Sequence, residues 1–180
     1  LCGHGRNADY FGEGPFTAIR NDTVRLIGLD TFWLTETPYV SSVLKNQSEI
    51  PRTCVAAVLQ EKSSKKIFAV YNTHLEYSSG ENAEAVRLRE MEIIAGRVKE
   101  RYAASPSPVF LLGDFNAEPT EAVINYCKTE FPLAIKDLTE DSGITRHGFF
   151  VSGEKKSYTI YTKHNSRDST LSSNLLDRGP

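Results

Sequence analysis

An amphipathic helix between two apolar strands is the feature that most limits the folds open to this chain. From Asn82 to about Tyr102, apolar residues recur at intervals of three and four, with Arg, Glu and Lys between them. This is the pattern of a helix with one buried face. The run IFAVYNTHL (67–75) before it and the run PVFLLGDF (108–115) after it are rich in strand-favouring residues. The order strand, helix, strand predicts an α/β layered domain.

Further elements fit the same architecture. Strands are predicted in PFTAIRN (15–21), VRLIGLDTFWL (24–34) and RTCVAAVLQ (52–60). Pro119 opens a second helix that continues to about residue 130. Residues 35–51 contain two prolines and many polar residues, so they are predicted to form a long loop of functional interest. A chain of 180 residues has the length of one domain with a real core.

Composition excludes several classes of protein. The formal net charge is −2, so no overall basic field attracts nucleic acid, and any polyanion has to be bound locally. The three cysteines, Cys2, Cys54 and Cys127, are odd in number and far apart. They argue against a disulfide framework or a compact zinc site and favour small buried thiols. The sequence has no apolar run long enough to span a bilayer and no signal-peptide pattern.

Polar side chains follow both apolar strands. Asn72 and His74 end one strand, and Asp114 and Asn116 end the other. Side chains two residues apart on a strand share a face, so each pair is predicted to point to one side of the sheet. A polar cluster over an apolar sheet is costly unless its members are paired or used. Each pair also has a purely structural explanation. Asp114 and Asn116 could cap a turn, and His74 could be a hydrogen-bonded histidine of the core. Two such pairs in succession nevertheless favour a functional site.

The motifs NTHLEY (72–77) and LLGDFNAEP (111–119) resemble the two central signatures of the endonuclease/exonuclease/phosphatase superfamily. Four other segments are similar to its bacterial branch: GRNADYFGEGPFTAIRND (5–22), LDTFWLTETP (29–38), PRTCVAAVL (51–59) and ITRHGFF (144–150). The resemblance covers about residues 3–150. It implies a deoxyribonuclease-I-like four-layer α/β sandwich, in which two mixed β-sheets pack face to face with helices outside.

The resemblance also implies a reaction, the hydrolysis of a phosphoester by an activated water. Asp114 is the expected general base, and His74 and Asn116 are expected to donate hydrogen bonds to phosphate oxygens. A divalent cation, Mg²⁺ or Mn²⁺, is expected as Lewis acid. The residues expected to bind the substrate are Asn72, which would position His74, together with Arg6, Arg52 and His147. Those expected to bind the metal are Asp114 and Asp177.

This chain departs from the family pattern at both ends. The family has an upstream strand with an Asn and a metal-binding Glu, and neither residue is in this sequence. Downstream, SYTIYT (157–162) has Tyr158 where the family has Asp, and in LLDRGP (175–180) Asp177 is followed by Arg178 where the family has His. Residues 1–180 are therefore expected to form a single domain that lacks its N-terminal strand or strands and possibly its C-terminal strand.

Two classes of function remain open at this point. The first is a monomeric, metal-dependent phosphoesterase whose substrate is a nucleic acid, a phospholipid head group or a sugar phosphate. The second is a non-catalytic relative that keeps the fold as a binding or scaffolding module. A more remote third reading is an unrelated α/β domain that contains these motifs by chance. The sequence does not identify the ester, because specificity lies in loops such as residues 35–51.

Overall fold

The computed structural model of this chain describes residues 1–79 and 81–138, together with the backbone of residues 157–162. Within these residues the elements are, in chain order, β1 (Val24–Trp33), β2 (Thr53–Glu61), β3 (Ile67–His74), α1 (Glu81–Ala104), β4 (Val109–Asp114), α2 (Ala122–Thr129), β5 (Ile135–Asp137) and β6 (Ser157–Thr162). Neither described helix is both long and apolar enough to cross a membrane.

The strands form one mixed sheet in the order β1-β2-β3-β4-β6-β5. The first three strands pair antiparallel as a meander. Helix α1 then carries the chain back, so that β4 runs parallel to β3, while β6 is antiparallel to both β4 and β5. The predicted α/β class is confirmed. The described residues contain a single sheet, so the second sheet of the sandwich stays a prediction.

The main core lies between the sheet and the two helices. Helix α1 buries Met91, Ile94 and Val98, which recur at helical spacing as the sequence predicts. Each such side chain contributes about 1.5–3 kcal/mol when fully buried. The same core contains alternate residues of the central strands, Ala69 and Tyr71 of β3 and Val109 and Leu111 of β4.

The intervening strand residues lie on the opposite face of the sheet. A smaller apolar cluster forms there around Val70 and Leu59, with half-buried Phe68, Phe110 and Leu112 packed against it. Because side chains alternate along a strand, Asn72, His74 and Asp114 belong to this face and not to the helix face. The polar side chains at the ends of β3 and β4 therefore lie on the same face of the sheet as this smaller apolar cluster.

Three details of the sequence prediction need correction. Residues 15–21 do not form a strand. They form a loop with one isolated bridge between Cys2 and Thr17, since Pro15 has no N–H to offer a ladder. Helix α1 begins at Glu81, so Asn82 lies inside it, and α2 begins at Ala122. Strand β5 has three residues and was not predicted, because so short a run has no readable periodicity. All three cysteines are free and buried, as expected.

Candidate active site

The site is built where β3 and β4 end side by side. The parallel register places His74 directly opposite Asp114. His74 Nε2 and Asp114 Oδ2 are 3.9 Å apart, and each side chain is about one-third exposed. The two strands approach closely here because Gly113 has no Cβ; one built at that position would lie 1.9 Å from the carbonyl oxygen of Thr73. The result is an accessible carboxylate and imidazole that face each other beyond hydrogen-bond range.

Asp114 uses its two carboxylate oxygens differently. Oδ1 accepts a hydrogen bond of 2.9 Å from the backbone N–H of Asn116. This is the local Asx turn that the alternative interpretation of the sequence predicts. Oδ2 is the oxygen that faces His74. Turn capping and a chemical role are therefore compatible, because they involve different atoms.

Asn116 lies beyond the end of the strand, so the two-residue periodicity does not extend to it. Its backbone has φ +49°, and its side chain is buried. Nδ2 donates a 3.0 Å hydrogen bond to the carbonyl oxygen of Leu75, the residue after β3. One amide hydrogen thus joins the ends of β3 and β4, and only the other is available to a ligand.

Glu13, which the sequence analysis did not single out, contacts His74 from the N-terminal loop. His74 Nδ1 lies 3.2 Å from Glu13 Oε1. Burial, together with the charge of Arg52, lowers the pKa of His74, while Asp114 and Glu13 oppose this shift. Because a carboxylate only accepts hydrogen bonds, the contact with Glu13 requires a proton on Nδ1, while Nε2 faces Asp114 Oδ2 beyond hydrogen-bond range. The only sequence signal was that Glu13 lies in the segment 5–22, which is similar to the family's bacterial branch.

Asn72 holds the N-terminal loop and does not contact His74. Its Nδ2 donates to the carbonyl oxygens of Pro15 and Phe16, each at 3.1 Å, and lies 3.4 Å from Thr17 Oγ1. The loop segment that carries Glu13 is therefore anchored to β3. These hydrogen bonds connect Asn72 to His74 through the loop.

The other predicted substrate ligands lie in different environments. Arg6 is mostly buried and forms a 2.8 Å ion pair with Glu13. Arg52 is almost completely buried, with its guanidinium 5.4 Å from the centre of the Tyr77 ring. Burial is the main reason that the pKa of Arg52 is lowered. His147 and Asp177 lie outside the described residues.

The described residues do not form a complete metal site. Among residues 1–79 and 81–138, no group of three or more His, Cys, Asp or Glu side chains is arranged to hold a metal ion. Asp114 Oδ2 is an exposed carboxylate oxygen of the kind that Mg²⁺ prefers. One such oxygen is too few to define a site, so these residues alone do not fit a bound cation.

Solved structures share this fold. An endonuclease/exonuclease/phosphatase from Bacteroides vulgatus aligns with 24% identity and a TM-score of 0.68 over 79% of this chain and 56% of its own. A mannosyl-6-phosphatase from Bacteroides thetaiotaomicron gives 19% identity and a TM-score of 0.65 over 79% and 54%. The human Nocturnin catalytic domain with a bound sulfate anion gives 22% identity and a TM-score of 0.61 over 80% and 50%.

These structural matches define the class of the fold. No protein-family model and no curated protein matches the sequence. The chain spans about half the length of the solved structures it resembles. It has the fold of the endonuclease/exonuclease/phosphatase proteins, over the part of that fold that its residues cover.

Proposed function

We propose that this protein hydrolyses phosphoester bonds and that Asp114 activates the attacking water. The observation that carries the proposal is the parallel register of β3 and β4, which sets Asp114 Oδ2 opposite His74 Nε2 at an exposed sheet edge. Two solved proteins with this fold support the reaction class, one being a mannosyl-6-phosphatase and the other having bound sulfate, a phosphate-like anion.

The proposed reaction assigns a role to each group. Asp114 Oδ2 removes a proton from a water molecule, whose oxygen attacks phosphorus in line as the bond to the ester oxygen breaks, and the ester oxygen leaves as an anion that takes a proton from solvent. The negative charges of the bound phosphate, Asp114 and Glu13 offset the lowered pKa of His74 in the free protein, so that His74 donates its Nε2–H to a phosphate oxygen while Glu13 accepts the Nδ1–H. Asn116 offers its remaining amide hydrogen. Arg6, Arg52 and His147 are proposed contacts to the phosphate.

We propose that hydrolysis requires Mg²⁺ or Mn²⁺, which would supply a Lewis acid at the phosphate. Asp114 would provide one ligand oxygen, and Asp177 and residues beyond those described would provide others. The test is hydrolysis of p-nitrophenyl phosphate and bis(p-nitrophenyl) phosphate by the whole protein after treatment with EDTA. Activity should vanish and return with Mg²⁺ or Mn²⁺. Activity that survives complete chelation would contradict the requirement.

We also propose that the face opposite the helices is covered by a second sheet, which completes the four-layer sandwich. The support is the apolar character of that face. Phe68, Phe110 and Leu112 are only half-buried there, although they pack against the buried Val70. A sheet face this apolar is normally packed against another layer. The polar site at the strand ends would then open at the edge of the sandwich.

The role of Asp114 is tested by Asp114→Asn in the whole protein. Asn keeps the size and the hydrogen bond to the Asn116 N–H but removes the basic oxygen, so kcat should fall by about 10²–10⁴-fold. Asp9→Asn is the matched control, because Asp9 also accepts the N–H of the residue two positions on, in an exposed turn. This control should leave kcat unchanged.

Two results would overturn the proposal. Equal kcat for wild type and Asp114→Asn would show that Asp114 caps a turn and is not the base. A whole protein that binds Mg²⁺ but hydrolyses no phosphomonoester, phosphodiester, RNA or DNA would be the non-catalytic relative that the sequence leaves open. Its function would then be binding or scaffolding.

A further inference from the structure

Several ionisable side chains are buried together near the end of β3. We call Arg52, Glu76 and Glu90 the buried charge cluster. Arg52 is 3% exposed, and the two glutamates are fully buried. Arg52 directly precedes β2, Glu76 lies two residues after β3, and Glu90 lies on the buried side of α1. A buried charge costs several kcal/mol unless it is paired and hydrogen-bonded, so the partners of each atom matter.

Glu76 is fully hydrogen-bonded. Its Oε1 accepts the N–H of Ser78 at 2.9 Å and the hydroxyl of Ser78 at 2.5 Å. Its Oε2 accepts the hydroxyl of Ser48 at 2.7 Å, which ties the long loop 35–51 to the cluster. Burial alone would raise the pKa of Glu76, but these hydrogen bonds and the charge of Arg52 outweigh it and lower the pKa. Glu76 is therefore the anion of the cluster.

Glu90 and Arg52 have complementary unpaired atoms. Glu90 Oε2 accepts the backbone N–H of Glu76 at 2.8 Å. Among the described residues, Glu90 Oε1 has no hydrogen-bond partner, and neither do Arg52 Nε and Nη1. Each of the two groups acts electrostatically on the other. A single buried water accepts two hydrogen bonds, so it can join Glu90 Oε1 to one of the two Arg52 nitrogens.

We propose that Glu90 is a positioning residue for Arg52, held to its guanidinium through one buried water. The Tyr77 ring lies on the guanidinium, and the Glu76 charge attracts it. Together these contacts fix the guanidinium, whose charge acts on His74. The inference rests on the proposed function, in which Arg52 binds the phosphate. Glu90 then supports substrate binding from α1 without touching the substrate.

The ionisation of Glu90 identifies the conservative variant. Burial raises the pKa of Glu90 to about 8, so the side chain is neutral at pH 7. Glutamine has the same shape, and it can accept the Glu76 N–H while its NH₂ group binds the same water. Leucine fills a similar volume but makes none of these bonds. Glu90→Gln should therefore keep the link at pH 7, and Glu90→Leu should remove it.

The experiment measures the Kd of inorganic phosphate by calorimetry with the whole protein at pH 7. An Arg52 guanidinium that is no longer held in place loses its hydrogen bond to the phosphate. A hydrogen bond to a charged group is worth about 1.5–3 kcal/mol, so Glu90→Leu should weaken phosphate binding by at least about tenfold. Arg52→Met should weaken it in the same direction, and Glu90→Gln should stay within about twofold. Glu100→Leu, on the exposed side of the same helix, is the control and should match wild type.

Two further measurements separate positioning from general stability. Glu90→Leu should raise KM for p-nitrophenyl phosphate more than it lowers kcat, since Arg52 binds and does not react. Exchange of the Arg52 Nε–H, followed by nuclear magnetic resonance, should be faster in Glu90→Leu than in Glu90→Gln. If Glu90→Leu does not fold, Glu90→Met has an unbranched side chain that adapts to the site and carries the same expectations.

The two proposals fail in different ways. If Arg52→Met weakens phosphate binding but Glu90→Leu matches wild type, the positioning role of Glu90 is wrong and the proposed function stands. If Arg52→Met leaves phosphate binding unchanged, the Arg52 contact of the proposed function is wrong, and the role of Glu90 falls with it. If Glu90→Gln binds phosphate as poorly as Glu90→Leu, the neutral hydrogen-bonded link is wrong.

Discussion

Gly113 allows a direct test of how closely the strands must approach to form the site. It precedes Asp114 at the end of β4 and has φ +137°, a conformation that L-residues rarely adopt. A Cβ added there would lie 1.9 Å from the carbonyl oxygen of Thr73. Gly96, on the exposed side of α1, would place its Cβ with no atom within 4 Å. The same Gly→Ala change should therefore have opposite effects at the two positions.

The expected cost of Gly113→Ala comes from two sources. A non-glycine residue in a strained backbone conformation costs about 1–3 kcal/mol. The Thr73 oxygen belongs to the backbone and cannot rotate away, so β3 and β4 must separate to widen the contact from 1.9 Å to at least 3.0 Å. If two ladder hydrogen bonds are lost, each costs about 0.5–1.5 kcal/mol, which makes the total about 2–6 kcal/mol. Gly96→Ala should instead stabilise the helix by about 1 kcal/mol.

Urea unfolding of the whole protein measures both effects. Gly113→Ala should leave the m-value unchanged and lower the urea midpoint by an amount that corresponds to a loss of about 2–6 kcal/mol in the free energy of unfolding. Gly96→Ala should raise the midpoint slightly. In preparations that remain folded, Gly113→Ala should also reduce kcat, because the separation of the strands moves Asp114 away from His74. A loss of less than about 1 kcal/mol would refute the close approach, since strain alone reaches that value.

Two other substitutions test the buried charges. The pKa of Glu90 is raised from 4.5 to about 8 in the native state. Between these pH values the native state keeps a proton that the unfolded state releases. The free energy of unfolding of the wild type should therefore fall by up to about 1.4 kcal/mol for each pH unit from 4.5 to about 8. Glu90→Gln should lack this decline, and parallel stability curves for the two proteins would contradict it. Glu121→Gln should destabilise by roughly 3 kcal/mol, because Arg87 Nη2 lies 2.6 Å from Glu121 Oε2 and both groups are largely buried. If the free energy of unfolding falls by less than about 1 kcal/mol, water hydrates the Arg87 guanidinium in place of the lost ion pair and the expectation is wrong.

The sequence predicted those parts of the fold that repeat a pattern over many residues. Helix α1 has 24 residues, so its apolar spacing is read over more than six turns. The strands β1 to β4 have six or more residues each, and most of these residues are apolar. The same reasoning was wrong for residues 15–21, since a short run that contains Pro15 gives no reliable period. It also placed Asn116 on the strand, although β4 ends at Asp114.

The contacts within the site could be predicted only in part. That His74 and Asp114 follow two strands is visible in the sequence, but their alignment depends on a parallel register set by the α1 crossover. The contact between Glu13 and His74 joins residues 61 positions apart. No periodicity relates a loop residue to a strand end at that distance. The loop conformation that brings them together depends on Asn72 bonding to backbone carbonyls, which a sequence pattern does not encode.

His74 links two parts of the chain through its two ring nitrogens. Nδ1 contacts Glu13 of the N-terminal loop, while Nε2 faces Asp114 at the end of β4. Because Glu13 accepts the Nδ1 proton, the loop determines which nitrogen of a neutral His74 carries hydrogen. Asn72, two residues before His74 on the same strand, holds that loop in place. The tautomer of His74 therefore depends on the loop that Asn72 anchors, so under the proposed function an Asn72 variant is expected to alter kcat through His74.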